Sequence, residues 1–206
     1  MEINFLFSIA VLIISIVIHE VSHGYAAYFL GDPTAKYAGR LTLNPIPHID
    51  LLGSLLIPFI LSLIPGGIIF GWAKPVPVNT YNLKFGKWGE GIVAFAGPAS
   101  NLLIAVAGSL AIRFGEGIVP TASLPLLEVI VFLNIVLFVF NMMPITPLDG
   151  SKVLATLLPV RFTRIRRVLE SHSFVYVLVF IFLLWPFIEP VIPWLFGVLT
   201  GIPSPF

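Results

Sequence analysis

Residues 3–30 read INFLFSIAVLIISIVIHEVSHGYAAYFL, and this stretch decides the fold. It contains no Lys, Arg or Pro, and at about 1.5 Å per residue a helix of this length crosses a hydrocarbon core of roughly 30 Å. A secretory signal peptide would carry a basic n-region and end at a cleavage site, but here the apolar run continues into His19 and Glu20. We therefore predict a retained membrane helix that ends at Gly31-Asp32-Pro33.

The composition of the whole chain agrees with a membrane environment. Of its 206 residues, 58% are apolar and only 10% are charged, against about 25% charged in a typical soluble protein. A soluble core of this size cannot enclose so much apolar surface. The net charge of +1 supplies no field for binding nucleic acid, and the absence of cysteine leaves no thiolate ligand or nucleophile. We predict an integral membrane protein with no nucleic-acid partner, in which any metal has N or O ligands.

Three further apolar stretches complete the predicted membrane domain. The predicted fold is an all-α polytopic membrane protein, in which helices at about residues 3–30, 91–112 and 126–143 form a three-helix core. One or two additional C-terminal membrane helices are expected within residues 174–200, where several prolines interrupt the apolar run. No internal repeat or long polar stretch indicates a second domain, so residues 1–206 are predicted to form one membrane domain.

The stretch of residues 51–70 is apolar enough to span, but we predict that it enters and leaves the membrane by the same face. Both of its flanking loops are basic, and so is the loop after residue 143. The basic residues concerned are Lys36, Arg40, Lys74, Lys84, Lys87, Lys152, Arg161, Arg164, Arg166 and Arg167. The positive-inside rule places these loops in the cytoplasm, so the N-terminus is expected outside a plasma (inner) membrane. We expect a re-entrant region over about 36–79, partly β because residues 40–44 alternate polar and apolar side chains.

Chemistry is concentrated in His19-Glu20-Val21-Ser22-His23, an H-E-x-x-H motif on the first predicted helix. Histidines four residues apart lie about 40° apart around a helix, so both imidazoles can bind one metal ion. The intervening Glu20 projects beside that ion, where a carboxylate can act as a general base. In the competing interpretation the histidines only hydrogen-bond the backbone, which would bury three ionisable groups at several kcal/mol without a partner. The motif therefore predicts one zinc ion per chain, inside the membrane.

A catalytic zinc usually has three protein ligands, and the residues alone leave the third one open. The candidates outside the motif are Asp32, His48, Asp50 and Asp149. Asp32 follows a helix-ending glycine and is more simply a turn residue. Asp149 follows Pro144 and Pro147, which prevent a regular helix and could turn the carboxylate back towards the bundle. An ordinary turn explains Asp149-Gly150 equally well.

These residues resemble the site-2 proteases, a family of intramembrane zinc metalloproteases, in its small form without a PDZ domain. Two motifs in order carry the resemblance: H-E-x-x-H at residues 19–23, and N-x-x-P-x-x-P-L-D-G at residues 141–150. Residues 44–50 (NPIPHID), 71–79 (GWAKPVPVN) and 97–101 (GPASN) also look like segments of that family.

The resemblance implies zinc ligands at His19, His23 and Asp149, with Glu20 as the catalytic base. Charge gives a further reason for Asp149, since one carboxylate beside two neutral imidazoles leaves zinc near +1, which a buried site tolerates better than +2. The implied activity is hydrolysis, by zinc-activated water, of peptide bonds within or near the transmembrane helices of membrane-protein substrates.

The partners implied are these substrates, the lipid bilayer and a separate regulatory or adaptor membrane protein, while the oligomeric state stays open. The alternative function is a non-proteolytic metal-binding or metal-transporting membrane protein, because transporters also place His and acidic residues in the membrane. A transporter needs no Glu between the two histidines, and the chain shows no half-to-half repeat, so we favour the protease.

Five other polar residues have two interpretations each. Asn141 could hold the scissile carbonyl or its oxyanion, or it could make an interhelical hydrogen bond. Asn134 and Asn101 fit interhelical packing better than catalysis. His48 and Asp50 are expected to stabilise the re-entrant region by local hydrogen bonds, and the alternative is a hydrogen bond that supports a zinc ligand.

Overall fold

The computed structural model describes residues 2–62, 71–159 and 183–206, which are mostly helical. In chain order its helices are α1 (Glu2–Phe29), α2 (Thr34–Tyr37), α3 (Ile57–Ser62), α4 (Lys87–Phe114), α5 (Leu124–Asn141), α6 (Asp149–Leu157), α7 (Trp185–Ile188) and α8 (Val191–Thr200). A 3-10 turn at Ile46–His48 and a π-helical segment at Leu51–Leu56 lie between α2 and α3.

Three helical stretches in the described part of the chain are long and apolar enough to cross a membrane. They are Phe5–Phe29, Lys87–Phe114 and Thr121–Asn141, and they contain the three predicted core helices to within about one turn. Their outward surfaces carry large apolar side chains such as Phe5, Leu103 and Leu110, which are exposed in the isolated chain. Apolar surface of this extent requires lipid rather than water around it, so the protein is an integral membrane protein.

Helix α4 lies at the centre of the bundle and packs against α1, α5 and α6. Close approach to α5 depends on small residues, because a Cβ at Gly108 would lie 2.7 Å from Cγ2 of Val131. The C-terminal helix α8 inserts the fully buried Phe196 beside Ile135 of α5. The predicted C-terminal membrane segment is described from residue 183 onwards, and its first part, residues 174–182, lies outside the described residues.

The turn after α1 is organised by Asp32, whose side chain is fully buried. Its carboxylate accepts hydrogen bonds from the backbone N–H of Asn79 at 2.7 Å, from Nδ2 of Asn82 at 3.0 Å, and from the N–H and hydroxyl of Thr34. Burial alone would raise the pKa of Asp32, but these donors outweigh it and hold the pKa below its usual value. Asp32 therefore fastens residues 79–82 to the end of α1.

The expectation that residues 36–79 are partly β is wrong for the residues described there. Residues 41–43 and 45 form bends, and residues 71–79 run without pairing to another strand in the described chain. Local hydrogen bonds explain the difference: Asn44 N–H donates to Oγ1 of Thr42, Ile46 N–H donates to Oδ1 of Asn44, and Nε2 of His48 lies 3.0 Å from the Thr42 carbonyl oxygen. Side chains that bond the nearby backbone compete with a strand ladder, and alternation in the sequence does not reveal this competition.

The two ends of the apolar segment meet at one place. Trp72 N–H donates to the Gly53 carbonyl at 3.1 Å, and the Ser54 hydroxyl donates to the Trp72 carbonyl at 2.8 Å. The chain that leads into the apolar segment at Gly53 and Ser54 therefore lies beside the chain that follows it at Trp72. Residues 63–70 lie outside the described residues, and the position of the segment relative to the bilayer stays a prediction.

Candidate metal centre and active site

Three buried side chains converge where α1 faces the start of α6. Nε2 of His19 lies 3.0 Å from Nε2 of His23, and each nitrogen lies 3.1 Å from Oδ2 of Asp149. The structure therefore brings together the two motif histidines and one of the four candidate third ligands. The other three, Asp32, His48 and Asp50, make their hydrogen bonds elsewhere.

The two histidines meet because α1 is regular through the motif, which stacks positions four apart on one face. Asp149 reaches them because α5 ends at Asn141 and the loop with Pro144 and Pro147 turns the chain back into α6. This return is tight, since a Cβ at Gly150 would collide with the backbone of Met142 and Met143.

The other ring nitrogen of each histidine is held by a hydrogen bond. Nδ1 of His23 lies 2.6 Å from the carbonyl oxygen of Val93, and Nδ1 of His19 lies 2.7 Å from Oδ1 of Asn101. A carbonyl oxygen only accepts, so Nδ1 of His23 carries a proton, and when the ring is neutral its Nε2 lone pair faces Asp149.

The donor set fits a divalent cation. Two nitrogen lone pairs and a carboxylate oxygen at 3.0–3.1 Å would repel one another without a proton or cation between them. Two imidazoles and one carboxylate are a ligand set that zinc accepts in catalytic sites. Helix α4 leaves space here through Gly97, where a Cβ would lie 2.6 Å from Nε2 of His19 and closer still to His23.

Glu20 lies beside these ligands rather than among them. One carboxylate oxygen, Oε2, accepts a hydrogen bond of 2.9 Å from the backbone N–H of Val76, in the loop of residues 71–79. Since Pro75 and Pro77 flank Val76 and lack an N–H, this donor is the one that the Pro-Val-Pro sequence offers to the carboxylate.

A cavity of about 380 Å³ contains the ligand side chains and Glu20 in its wall. Its apolar wall includes Val76, Val93 and Leu148, while Thr80 and Lys152, which also line it, are exposed. Lys152 also lies 3.7 Å from Oδ1 of Asp149, so a cation stands between the ligand carboxylate and the surface.

Asn141 lines the same cavity, and its Nδ2 donates to the Leu137 carbonyl of its own helix at 2.9 Å. The interhelical hydrogen bond considered for Asn141 is absent from the described contacts.

The side chains of His48 and Asp50 make only local hydrogen bonds among the described residues. His48 contacts Thr42 and Arg40, and Asp50 caps the N–H groups of Leu52 and Gly53 at 3.0 and 2.7 Å. The structure does not bring His48 or Asp50 to the converging ligands.

Comparison with known proteins assigns the family. Residues 107–185, which include Asp149, match the model described as Peptidase family M50. Over 191 residues the chain is 38% identical to "Putative zinc metalloprotease YwhC" of Bacillus subtilis (strain 168), covering 86% of this chain and 84% of that protein. The chain belongs to peptidase family M50, the site-2 protease family.

Two other relatives agree with this assignment. Both carry the name "Putative zinc metalloprotease Rip2". The protein of Mycolicibacterium smegmatis is 32% identical over 149 residues, which are 71% of this chain and 55% of that protein. The protein of Mycobacterium tuberculosis (strain H37Rv) is 29% identical over 195 residues, which are 94% of this chain and 71% of that protein. No solved structure gives a significant match.

Reasoning from residue types missed three residues that shape this M50 site: Val76, Val93 and Gly97. Val76 acts through its backbone N–H, and Val93 through its carbonyl, so neither side chain gives a signal. Gly97 acts through its missing side chain, and the sequence marks it only as the first residue of the segment 97–101. Asn101 did carry a signal, because a buried amide needs a partner, but the sequence does not name that partner.

Proposed function

We propose that this protein is an intramembrane zinc metalloprotease that hydrolyses peptide bonds within or near the transmembrane helices of membrane-protein substrates. The observation that carries the proposal is that one cavity in the bundle holds three converging ligand atoms and, beside them, the carboxylate of Glu20. His19, His23 and Asp149 would hold one zinc ion per chain. When bound, zinc supplies Lewis acidity, which makes a water molecule acidic enough to lose a proton near neutral pH.

Glu20 moves the proton in this proposal. Val76 N–H fixes Oε2, while Oε1 of Glu20 has no partner among the described residues and is available to water. The carboxylate accepts a proton from the attacking water and later returns it to the leaving amine. A separate base explains why the motif contains a glutamate that is not in the ligand group.

The substrate must present an unwound peptide to this cavity. Carbonyl groups within a transmembrane helix are occupied by its own hydrogen bonds, so the helix has to open locally before it can be cut. The apolar wall at Val93 and Leu148 suits the side chains of such a segment. Asn141 retains one N–H on Nδ2 beyond its bond to Leu137, and we assign it to the scissile carbonyl or oxyanion.

The orientation follows from charge. Lys36, Lys84 and Lys152 are exposed near one end of the bundle, and the positive-inside rule puts that end in the cytoplasm of a plasma-membrane protein. Water and substrate then reach the site from the side on which the lining residues Thr80 and Lys152 are exposed. The same rule puts the N-terminus outside, and because the basic loops on both sides of residues 51–70 then lie on one face, we infer that this segment re-enters the membrane.

The test is cleavage of a synthetic transmembrane peptide by the purified protein in detergent, with the cut bond mapped by mass spectrometry. We expect zinc-dependent cleavage within the apolar segment, and no cleavage after chelation until zinc is restored. The variant Glu116→Gln serves as a control, because this exposed carboxylate lies in the turn after α4, away from the cavity. A zinc-loaded protein that cuts no peptide bond but moves zinc across liposomes would support the transport alternative instead.

A further inference from the structure

Behind His19 the structure buries three polar side chains from three different helices. Ser15 of α1 is 3% exposed, while Asn101 of α4 and Asn134 of α5 are fully buried. Burying amide groups costs free energy unless every group is hydrogen-bonded, and within the bundle an apolar residue would pack without that cost. These three side chains are hydrogen-bonded to one another, and Asn101 is also hydrogen-bonded to His19.

A chain of hydrogen bonds, called the relay below, leads from the Ile130 carbonyl through Asn134 and Asn101 to His19. The carbonyl at its start fixes which end of each amide donates and which accepts. Nδ2 of Asn134 donates to the Ile130 carbonyl at 2.8 Å and to Oγ of Ser15 at 3.0 Å. Because the carbonyl can only accept, the Asn134 amide has its nitrogen on that side and its Oδ1 on the other. This oxygen accepts from Nδ2 of Asn101 at 3.0 Å.

The orientation of the Asn134 amide fixes the orientation of the Asn101 amide, which in turn faces His19. Asn101 uses its Nδ2 for Asn134 and for the Ser15 carbonyl, so its Oδ1 faces the ring and lies 2.7 Å from Nδ1 of His19. An acceptor at this position requires the proton on Nδ1, and the neutral ring then has its lone pair on Nε2. His23 needs no such relay, because its Nδ1 meets the Val93 carbonyl directly.

We propose that Asn134 and Asn101 are positioning residues, which fix the tautomer and orientation of His19 and thereby set the zinc affinity of the site. Asn134 has no contact with any of the three ligands among the described hydrogen bonds, so it acts through Asn101. The inference rests on the proposed function only in taking His19, His23 and Asp149 as the zinc ligands.

Zinc affinity, measured by competition with a chromophoric chelator, tests this relay without any proteolysis. Asn101→Leu should weaken zinc binding by about 10- to 100-fold, the usual range for loss of a group that orients a metal-bound histidine. Asn134→Leu should weaken it by about tenfold in the wild-type background and should have no further effect in the Asn101→Leu background. Ser109→Ala is the control, since it removes a different buried polar side chain of α4, outside the relay, and should leave zinc affinity unchanged.

The conservative variant Asn101→Asp separates positioning from packing. A carboxylate still accepts from Nδ1 of His19 but cannot donate to Asn134, so zinc affinity should remain near the wild-type value although the interhelical bond is lost. If Asn101→Asp and Asn101→Leu weaken zinc binding equally, or if Asn134→Leu binds zinc like wild type, the inference is overturned.

A measurement on the metal-free wild-type protein covers the case in which the leucine variants do not fold. The ¹⁵N chemical shifts of labelled histidine, assigned with His19→Ala and recorded at a pH where the His19 ring is neutral, should show its single proton on Nδ1. A neutral ring with that proton on Nε2 would overturn the inference. The two proposals fail separately. Wild-type protein that binds zinc but cuts no peptide ends the proposed function alone, whereas unchanged zinc affinity in Asn134→Leu ends the relay alone.

Discussion

The backbone N–H of Val76 donates a hydrogen bond of 2.9 Å to Oε2 of Glu20, and it thereby joins the loop of residues 71–79 to the carboxylate beside the metal ligands. The same loop is fastened at both of its ends. Lys74 N–H donates to the His48 carbonyl at 2.9 Å, and Asn79 N–H donates to Asp32 at 2.7 Å. The position of the proposed base therefore depends on contacts outside the cavity.

Asp32 is the anchor of this loop, and Asp32→Asn should lower the melting temperature in detergent. The amide lacks the charge that four donors now stabilise, and hydrogen bonds to a charged group contribute about 1.5–3 kcal/mol. Because the folded-state pKa of Asp32 lies below the unfolded value of about 3.9, its stabilisation is fully present above that value and is lost as the pH falls through the folded pKa. Melting curves of wild type and Asp32→Asn at pH 7 and below pH 4 check this. The difference between their melting temperatures should be large at neutral pH and shrink in acid. A difference that grows in acid would contradict the assignment.

Asp149 is expected to be the third zinc ligand, so Asp149→Ala should abolish hydrolysis and lose zinc during dialysis against a mild chelator. His48→Ala and Asp50→Ala are the comparison variants, because their hydrogen bonds lie in the loop before α3. They should lower activity less and keep zinc nearly stoichiometric in metal analysis. Zinc retention by Asp149→Ala together with zinc loss by His48→Ala would show that the ligand set is wrong.

Gly97 makes room for the ligand imidazoles, so Gly97→Ala should displace one of them and weaken zinc binding. A Cβ there would lie 2.6 Å from Nε2 of His19, too close for either ring to keep its position. Gly197→Ala in α8 is the control, since its added Cβ would meet only the Ile202 carbonyl oxygen, at 3.6 Å. Zinc titration of both variants decides the matter, and equal zinc affinity in the two would contradict the close approach of α4 to the site.

Topology can be tested with single cysteines, because the natural chain contains none. Cysteines at Lys36 and Lys84 should react with an impermeant thiol reagent from the same face of oriented vesicles, and a cysteine at Glu116 should react from the opposite face. If Lys36 and Lys84 label from opposite faces, the segment of residues 51–70 is a full crossing and the orientation must be redrawn.

The sequence predicted the three core helices because each is a long apolar run, and a lipid environment makes hydropathy decisive. It predicted the pairing of His19 with His23 because helical spacing alone sets that geometry. It could not choose Asp149 from residues alone, since a turn and a ligand give the same Asp-Gly pattern, and the family resemblance was needed. The strand expected at residues 40–44 failed because Thr42, Asn44 and His48 bond the local backbone, and alternation carries no information about such bonds.

The most direct test of the account is zinc content and peptide cleavage measured together for wild type, Glu20→Gln and His19→Ala. Glu20 is a base outside the ligand group, so Glu20→Gln should keep about one zinc per chain and lose hydrolysis, whereas His19→Ala should lose both. Cleavage retained by Glu20→Gln, or zinc lost equally from Glu20→Gln and His19→Ala, would contradict the proposed roles of these residues.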